Sequence, residues 1–211
     1  MSSKAPRIAV FGTRWLGAEV LTRLHGLGFE LALLTASAED RTVAAAEALG
    51  VPWEAKPDPV PLMASDLPWR PDLIVCAHSF RIVPGWAIRW ALLGAIGYHP
   101  SLLPAFKGRN AVADAVAAGV RETGGTVYWL TESVDAGPPV EVSVNGVSKA
   151  LQRRVHVLEG ETPAALWRRA LAPVGAEMLV EGVVAGCGAL RALTPLTRKR
   201  VLAARRVENR N

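Results

Sequence analysis

The chain is poor in cysteine: Cys76 and Cys187 are the two present, far apart and each in an apolar setting. That excludes a disulfide framework, and they read as reduced core residues. The four histidines show no ligand spacing with them, so no structural or catalytic metal is expected. No segment reaches the uninterrupted apolar length of a membrane span. Met1-Ser2-Ser3-Lys4-Ala5-Pro6-Arg7 lacks the apolar stretch and cleavage pattern of a signal peptide. A cytoplasmic protein with no membrane partner is therefore expected. Internal repeats and low-complexity tracts are also missing.

What is present is a chain of 211 residues, half of them hydrophobic, which suits one α/β domain with a short appendage. The formal charge of +5 is weighted to the end, in Arg191, Arg198, Lys199, Arg200, Arg205 and Arg206. The expected organisation is a domain over 1–190 and a basic tail over 191–211, the tail reading as a solvated helix face rather than a nucleic-acid site.

Strand and helix patterns alternate. Arg7 to Phe11 predicts a buried strand and Leu16 to Leu27 a helix; Leu31 to Leu34 and Arg41 to Leu49 repeat the pair. Prolines at 52, 57, 59, 61, 68 and 71 mark an irregular connection around a short Val51-Pro52-Trp53 segment. Leu73 to Ala77 is a third strand and Gly85 to Leu92 a helical crossover. The expected fold is α/β: three layers, a mostly parallel twisted sheet with helices on both faces. Late in the chain, Val142 to Gly146 reads as a strand and turn with Leu151 to Val157 as its hairpin partner. Thr162-Pro163 then starts a helix whose apolar stripe continues to Val184, packing on the sheet or on a second copy in a homodimer.

The most telling stretch runs from Ala95 to Val140. Ala95-Ile96-Gly97-Tyr98 delivers His99 onto Pro100, which forbids helix and favours extended geometry. Gly125 to Leu130 is another strand, and Asp135 follows closely. An imidazole and a carboxylate at two loop ends can form an oriented acid/base pair. The alternative is a buried histidine bonded to backbone beside an ordinary turn aspartate.

His99-Pro100-Ser101-Leu102-Leu103-Pro104, Lys107-Gly108, Thr123-Gly124-Gly125-Thr126-Val127 and Asp135-Ala136-Gly137-Pro138 together resemble the folate-dependent formyltransferases. That family includes the glycinamide ribonucleotide and methionyl-tRNA enzymes. The likeness is strong over roughly residues 73–140. It implies N10-formyltetrahydrofolate as co-substrate, without a metal, and formyl transfer to an amine. It also implies that His99 stabilises the formyl oxyanion while Asp135 orients the histidine and moves a proton. Loops carrying Phe80, Arg81, Ile82 and Val83, and Thr131 to Asp135 with Val134, would flank the pterin; Lys107 and Arg109 could draw the folate tail. Among the tryptophans, Trp15, Trp86 and Trp129 could reach the cleft.

One departure stands out. The family's asparagine, two positions before the histidine, falls on Gly97, which has no side chain to stabilise an oxyanion. His78 and Ser79 are the nearest candidates to refill the place. Tyr128, where relatives often have histidine, is expected to alter pocket shape more than chemistry. The turn Gly12-Thr13-Arg14-Trp15-Leu16-Gly17 is no dinucleotide fingerprint and lacks the phosphate-binding pattern of the glycinamide ribonucleotide enzymes, so tight strand–helix packing is expected. The methionyl-tRNA enzymes carry a further C-terminal barrel for which this sequence leaves no room, so transfer RNA is disfavoured as acceptor. The expected acceptor is a small-molecule amine such as an amino sugar. The alternatives are a hydrolase releasing formate and a catalytically impaired folate-binding protein.

Overall fold

A computed structural model describes residues 5–79 and 81–192, with side chains through 188. A seven-stranded sheet runs in the order β3-β2-β1-β4-β5-β6-β9. Its parallel part comprises β1 (Arg7–Gly12), β2 (Glu30–Thr35), β3 (Trp53–Ala55), β4 (Leu73–Ala77) and β5 (Ala95–His99). β6 (Glu122–Trp129) and β9 (Gln152–His156) complete it antiparallel. Central parallel strands are covered on both faces and so read as continuous apolar runs. Ile8, Val10, Leu33, Leu73, Ile74 and Val75 are accordingly 0–1% exposed.

One face of the sheet packs on α1 (Arg14–Gly26), α2 (Arg41–Leu49) and the long α6 (Ala172–Ala192). The other is covered by α3 (Gly85–Trp90) and by Leu62, Leu67 and Trp69 of the proline-rich connection. α4 (Ala111–Ala117) and α5 (Pro163–Leu166) close the end nearest β9. This is the three-layer α/β architecture expected. Local chemistry sets the helix starts: Asp40 accepts from Thr42 N at 2.9 Å ahead of α2, and Thr162 Oγ1 accepts from Ala165 N at 3.2 Å ahead of α5. Strand–helix packing does explain Gly12 and Gly17, since a Cβ on Gly12 would lie 2.9 Å from Gly17 Cα.

One expectation needs correction. The hairpin partner of β7 (Glu141–Val144) is β8 (Val147–Ala150), not the segment from Leu151. Asn145 and Gly146 both take positive φ, 52° and 79°, giving the two-residue turn that reverses the chain at once. β9 instead pairs with β6. The helical segment Pro163–Gly188 contains an 18-residue window of mean hydropathy 1.5, long and apolar enough to cross a membrane by length and composition, though Arg168, Arg169, Glu177 and Glu181 interrupt the segment's apolar run. It is a core helix here: Ala176, Met178, Leu179 and Val183 are 0% exposed against the sheet. Residues 193–211, most of the basic tail, and Phe80 lie outside the described residues.

Candidate active site

The ends of β1, β4 and β5 and the loop after β6 open on one cleft of about 580 Å³. At the carboxyl edge of an open α/β sheet, this is where ligands are usually held. By the chemistry of its side chains, the lining falls into two unlike halves. One is lined by Ile82 and Val83 after β4 and by Leu130, Thr131 and Val134 after β6. The other is lined by Arg14, His78, Arg109, Asn110, Pro163 and Trp167.

Asp135 stands on the cleft wall and is 8% exposed. It holds φ +50°, a left-handed backbone that Asp tolerates better than most residues. Its Oδ1 accepts from Tyr128 Oη at 2.7 Å and its Oδ2 from Gly108 N at 2.9 Å. His99 Nδ1 lies 3.4 Å from Oδ2. The ring's other nitrogen, Nε2, is 2.8 Å from the carbonyl of Phe106, which can only accept, so Nε2 donates there. The expected imidazole–carboxylate pair is therefore assembled. The ring sits behind the carboxylate, 5% exposed, and is not among the residues lining the cleft.

The strands explain how the pair is delivered. β5 and β6 place His99 opposite Thr126 and Gly97 opposite Tyr128. Thr126 Oγ1 donates to Ser101 O at 2.7 Å and accepts from Leu103 N at 3.0 Å. Gln152 Nε2 donates to Leu103 O at 2.9 Å. This clamp fixes the loop that carries the Phe106 carbonyl. After β6 the chain doubles back, with Trp129 N donating to Pro138 O at 2.9 Å, and the return loop carries Asp135 beneath Tyr128.

The space beside Gly97 is taken by neighbours. A Cβ there would lie 2.8 Å from Leu130 Cδ1 and 3.6 Å from Cε1 of Tyr128. Burial raises the Tyr128 hydroxyl pKa, and the hydrogen bond to Asp135 and its charge add to the shift. His78 and Ser79 do line the cleft, but the His78 ring turns to Trp167, centroids 5.1 Å apart. Burial holds the His78 pKa below its ordinary value; Arg14 adds to this and Asp40 opposes it.

Ile82, Val83, Thr131 and Val134 line the cleft. Arg81 also borders it, yet its guanidinium is spent on the proline-rich connection, donating to Lys56 O at 2.8 Å and to the Val60 carbonyl. Lys107 does not line the cleft, whereas Arg109 does. Trp15, Trp86 and Trp129 are absent from the lining, and Trp167 is present. It begins a π-helical turn, Trp167–Leu171, a feature frequent at functional sites, and no sequence signal separates it from the helix around it. Among the described residues no three His, Cys, Asp or Glu side chains gather as a metal site would require.

A family model described as formyl transferase matches residues 62–182. The chain belongs to the formyl transferase family. A GDP-perosamine N-formyltransferase of Brucella melitensis is 34% identical over 102 residues, covering 48% of this chain and 36% of the relative. Formyltetrahydrofolate deformylase 2, mitochondrial, of Arabidopsis thaliana is 37% identical over 90 residues, covering 43% and 27%. The chain thus spans well under half the length of these two relatives. In fold, a phosphoribosylglycinamide formyltransferase from Anaplasma phagocytophilum superposes with a TM-score of 0.70 at 28% identity, over 85% of this chain and 86% of the other. This formyl transferase family member shares its sheet and surrounding helices with that structure.

Proposed function

We propose that this family member binds N10-formyltetrahydrofolate and transfers its formyl group to the amine of a small-molecule acceptor. The observation that carries the reading is Asp135, a buried carboxylate on the cleft wall with His99 beside it. A flat pterin suits the half formed by Ile82, Val83, Leu130 and Val134, where apolar side chains cover its faces and loop backbone reads its edge. The amine would approach from the half holding Arg14, His78 and Trp167.

Transfer requires the amine nitrogen to lose a proton and the folate nitrogen to regain one. A single well-placed carboxylate can carry both, and such general acid–base assistance contributes about 10²–10⁴ in rate. Asp135 is the group for this task, and the hydrogen bonds from Tyr128 Oη and Gly108 N hold it in place. For His99 to donate to the formyl oxyanion itself, Nε2 must leave the Phe106 carbonyl.

The acceptor half argues for an amine that presents no phosphate at α1. The leading amide of that helix, Arg14 N, already donates to both Asp40 carboxylate oxygens, at 2.8 and 3.1 Å. A phosphate would have to displace a carboxylate from the position where helix N–H groups bind anions. The Trp167 and His78 rings offer faces against which the C–H groups of an amino sugar pack. The test is a thermal-shift and turnover screen with N10-formyltetrahydrofolate against amino sugars and other amines. Stabilisation by the folate and amine-dependent loss of the formyl group support the proposal. Formate release without any amine would assign the chain to hydrolysis, and folate binding with no turnover would mark an impaired binder.

A further inference from the structure

We propose that Tyr128 is a catalytic residue of this site, its hydroxyl supplying the oxyanion donor that Gly97 does not have. This rests on the formyl-transfer reading above. Three observations point the same way. Gly97 and Tyr128 are partners across the β5–β6 pair, so their side-chain positions share one face of the sheet. The ring edge of Tyr128 lies 3.6 Å from where a Gly97 Cβ would stand, an ordinary van der Waals contact, so the phenol borders the place that a side chain at 97 would occupy. Tyr128 and Asp135 both line the cleft and are joined by the 2.7 Å hydrogen bond, whereas both nitrogens of His99 face protein oxygens. The raised pKa of the hydroxyl keeps it a neutral donor at any ordinary assay pH.

The acceptor nitrogen lone pair forms the bond to the formyl carbon, and the C=O π pair moves onto oxygen. Asp135 takes a proton from the now cationic nitrogen. With the carboxyl neutral, the Tyr128 O–H is released to turn to the oxyanion. Collapse re-forms C=O and breaks the bond to the folate nitrogen, which takes the proton back from Asp135. Tyr128 then returns its O–H to the carboxylate, and the protein gains and loses nothing.

The test is Tyr128→Phe, which keeps the ring and its packing, measured with N10-formyltetrahydrofolate and with amine or water as acceptor, rates being normalised to folded protein. The expected result is a fall in kcat of about 10²–10³, the usual cost of removing one oxyanion donor, with KM for the folate unchanged. Wild-type kcat in Tyr128→Phe, or a loss confined to KM, would overturn the role of Tyr128 alone. A wild-type protein that consumes no formyl donor with either acceptor would overturn the formyl-transfer reading and this role together.

Discussion

Replacing Thr126 by valine would test how the site is held. The substitution keeps the shape of the side chain and removes one hydroxyl. That hydroxyl donates to Ser101 O at 2.7 Å and accepts from Leu103 N at 3.0 Å and Gln152 Nε2 at 3.1 Å. Thr126 and Ser101 are both 0% exposed, so water cannot readily replace the lost partner. Gln152 keeps its bond to the Leu103 carbonyl, leaving two backbone groups orphaned. Each buried group left unpaired costs about 1–3 kcal/mol, and the gain from burying a methyl in place of a hydroxyl offsets part of this. A net loss of about 3 kcal/mol is expected, which for a chain of this size lowers Tm by roughly 6–12 °C. Urea unfolding followed by circular dichroism, with Thr126→Ser as the control that keeps the hydroxyl, measures it. The loop carrying the Phe106 carbonyl should loosen as well, so kcat should fall more than stability alone explains. A loss below about 1 kcal/mol, or an equal loss in Thr126→Ser, would refute the idea that this hydroxyl clamps the loop.

Asp135→Asn keeps a residue that tolerates the +50° backbone but removes the proton acceptor. Turnover should fall about 10²–10⁴-fold while folate binding by thermal shift survives; retained turnover would remove Asp135 from the mechanism. Cys76 borders the cleft, but burial pushes its thiol up to about 12, so at pH 8 it should react with a thiol reagent far more slowly than in the unfolded chain, and native labelling as fast as in the unfolded chain, followed by mass spectrometry, would contradict this. His78 titrates below its ordinary 6.5 in the folded protein. The unfolded chain therefore binds the extra proton first, and stability should fall as pH drops through 6.5 towards the folded value. His78→Gln should flatten that part of the Tm profile, and an unchanged profile would refute it.

Much of the fold was legible because its signals are local. β1, β2 and β4 are built on short apolar runs, Thr162 is a cap, and the His99 and Asp135 segments carry distinctive sequences of their own. The failures come from pairing over distance. Nothing in the sequence from 142 to 157 says that the chain reverses at Asn145-Gly146 and still leaves β9 to join β6. The Tyr128–Asp135 bond was missed for the same reason. It depends on the return loop from Thr131 to Pro138, and seven positions of separation in a loop fix no geometry. Trp167 was hidden inside an apolar helical stripe, where a π-turn leaves no compositional trace.

The site depends on a change of strand direction. The connection from β5 to β6 passes through α4, and a parallel β6 would pair its residues with β5 in the opposite order. An antiparallel β6 instead pairs Thr126 with His99 and Tyr128 with Gly97, and its return loop needs only a few residues to bring Asp135 back to the same pair. The hydrogen bonds from Tyr128 and Gly108 reach opposite oxygens of that carboxylate, so one side chain reports the placement of two segments. Lengthening the 131–134 loop by one residue should therefore shift Asp135 against both donors at once. Turnover should collapse while the sheet, whose pairs β5–β6 and β6–β9 lie outside the loop, stays folded by circular dichroism. Full activity in such a variant would mean that the position of the carboxylate is not set by this loop.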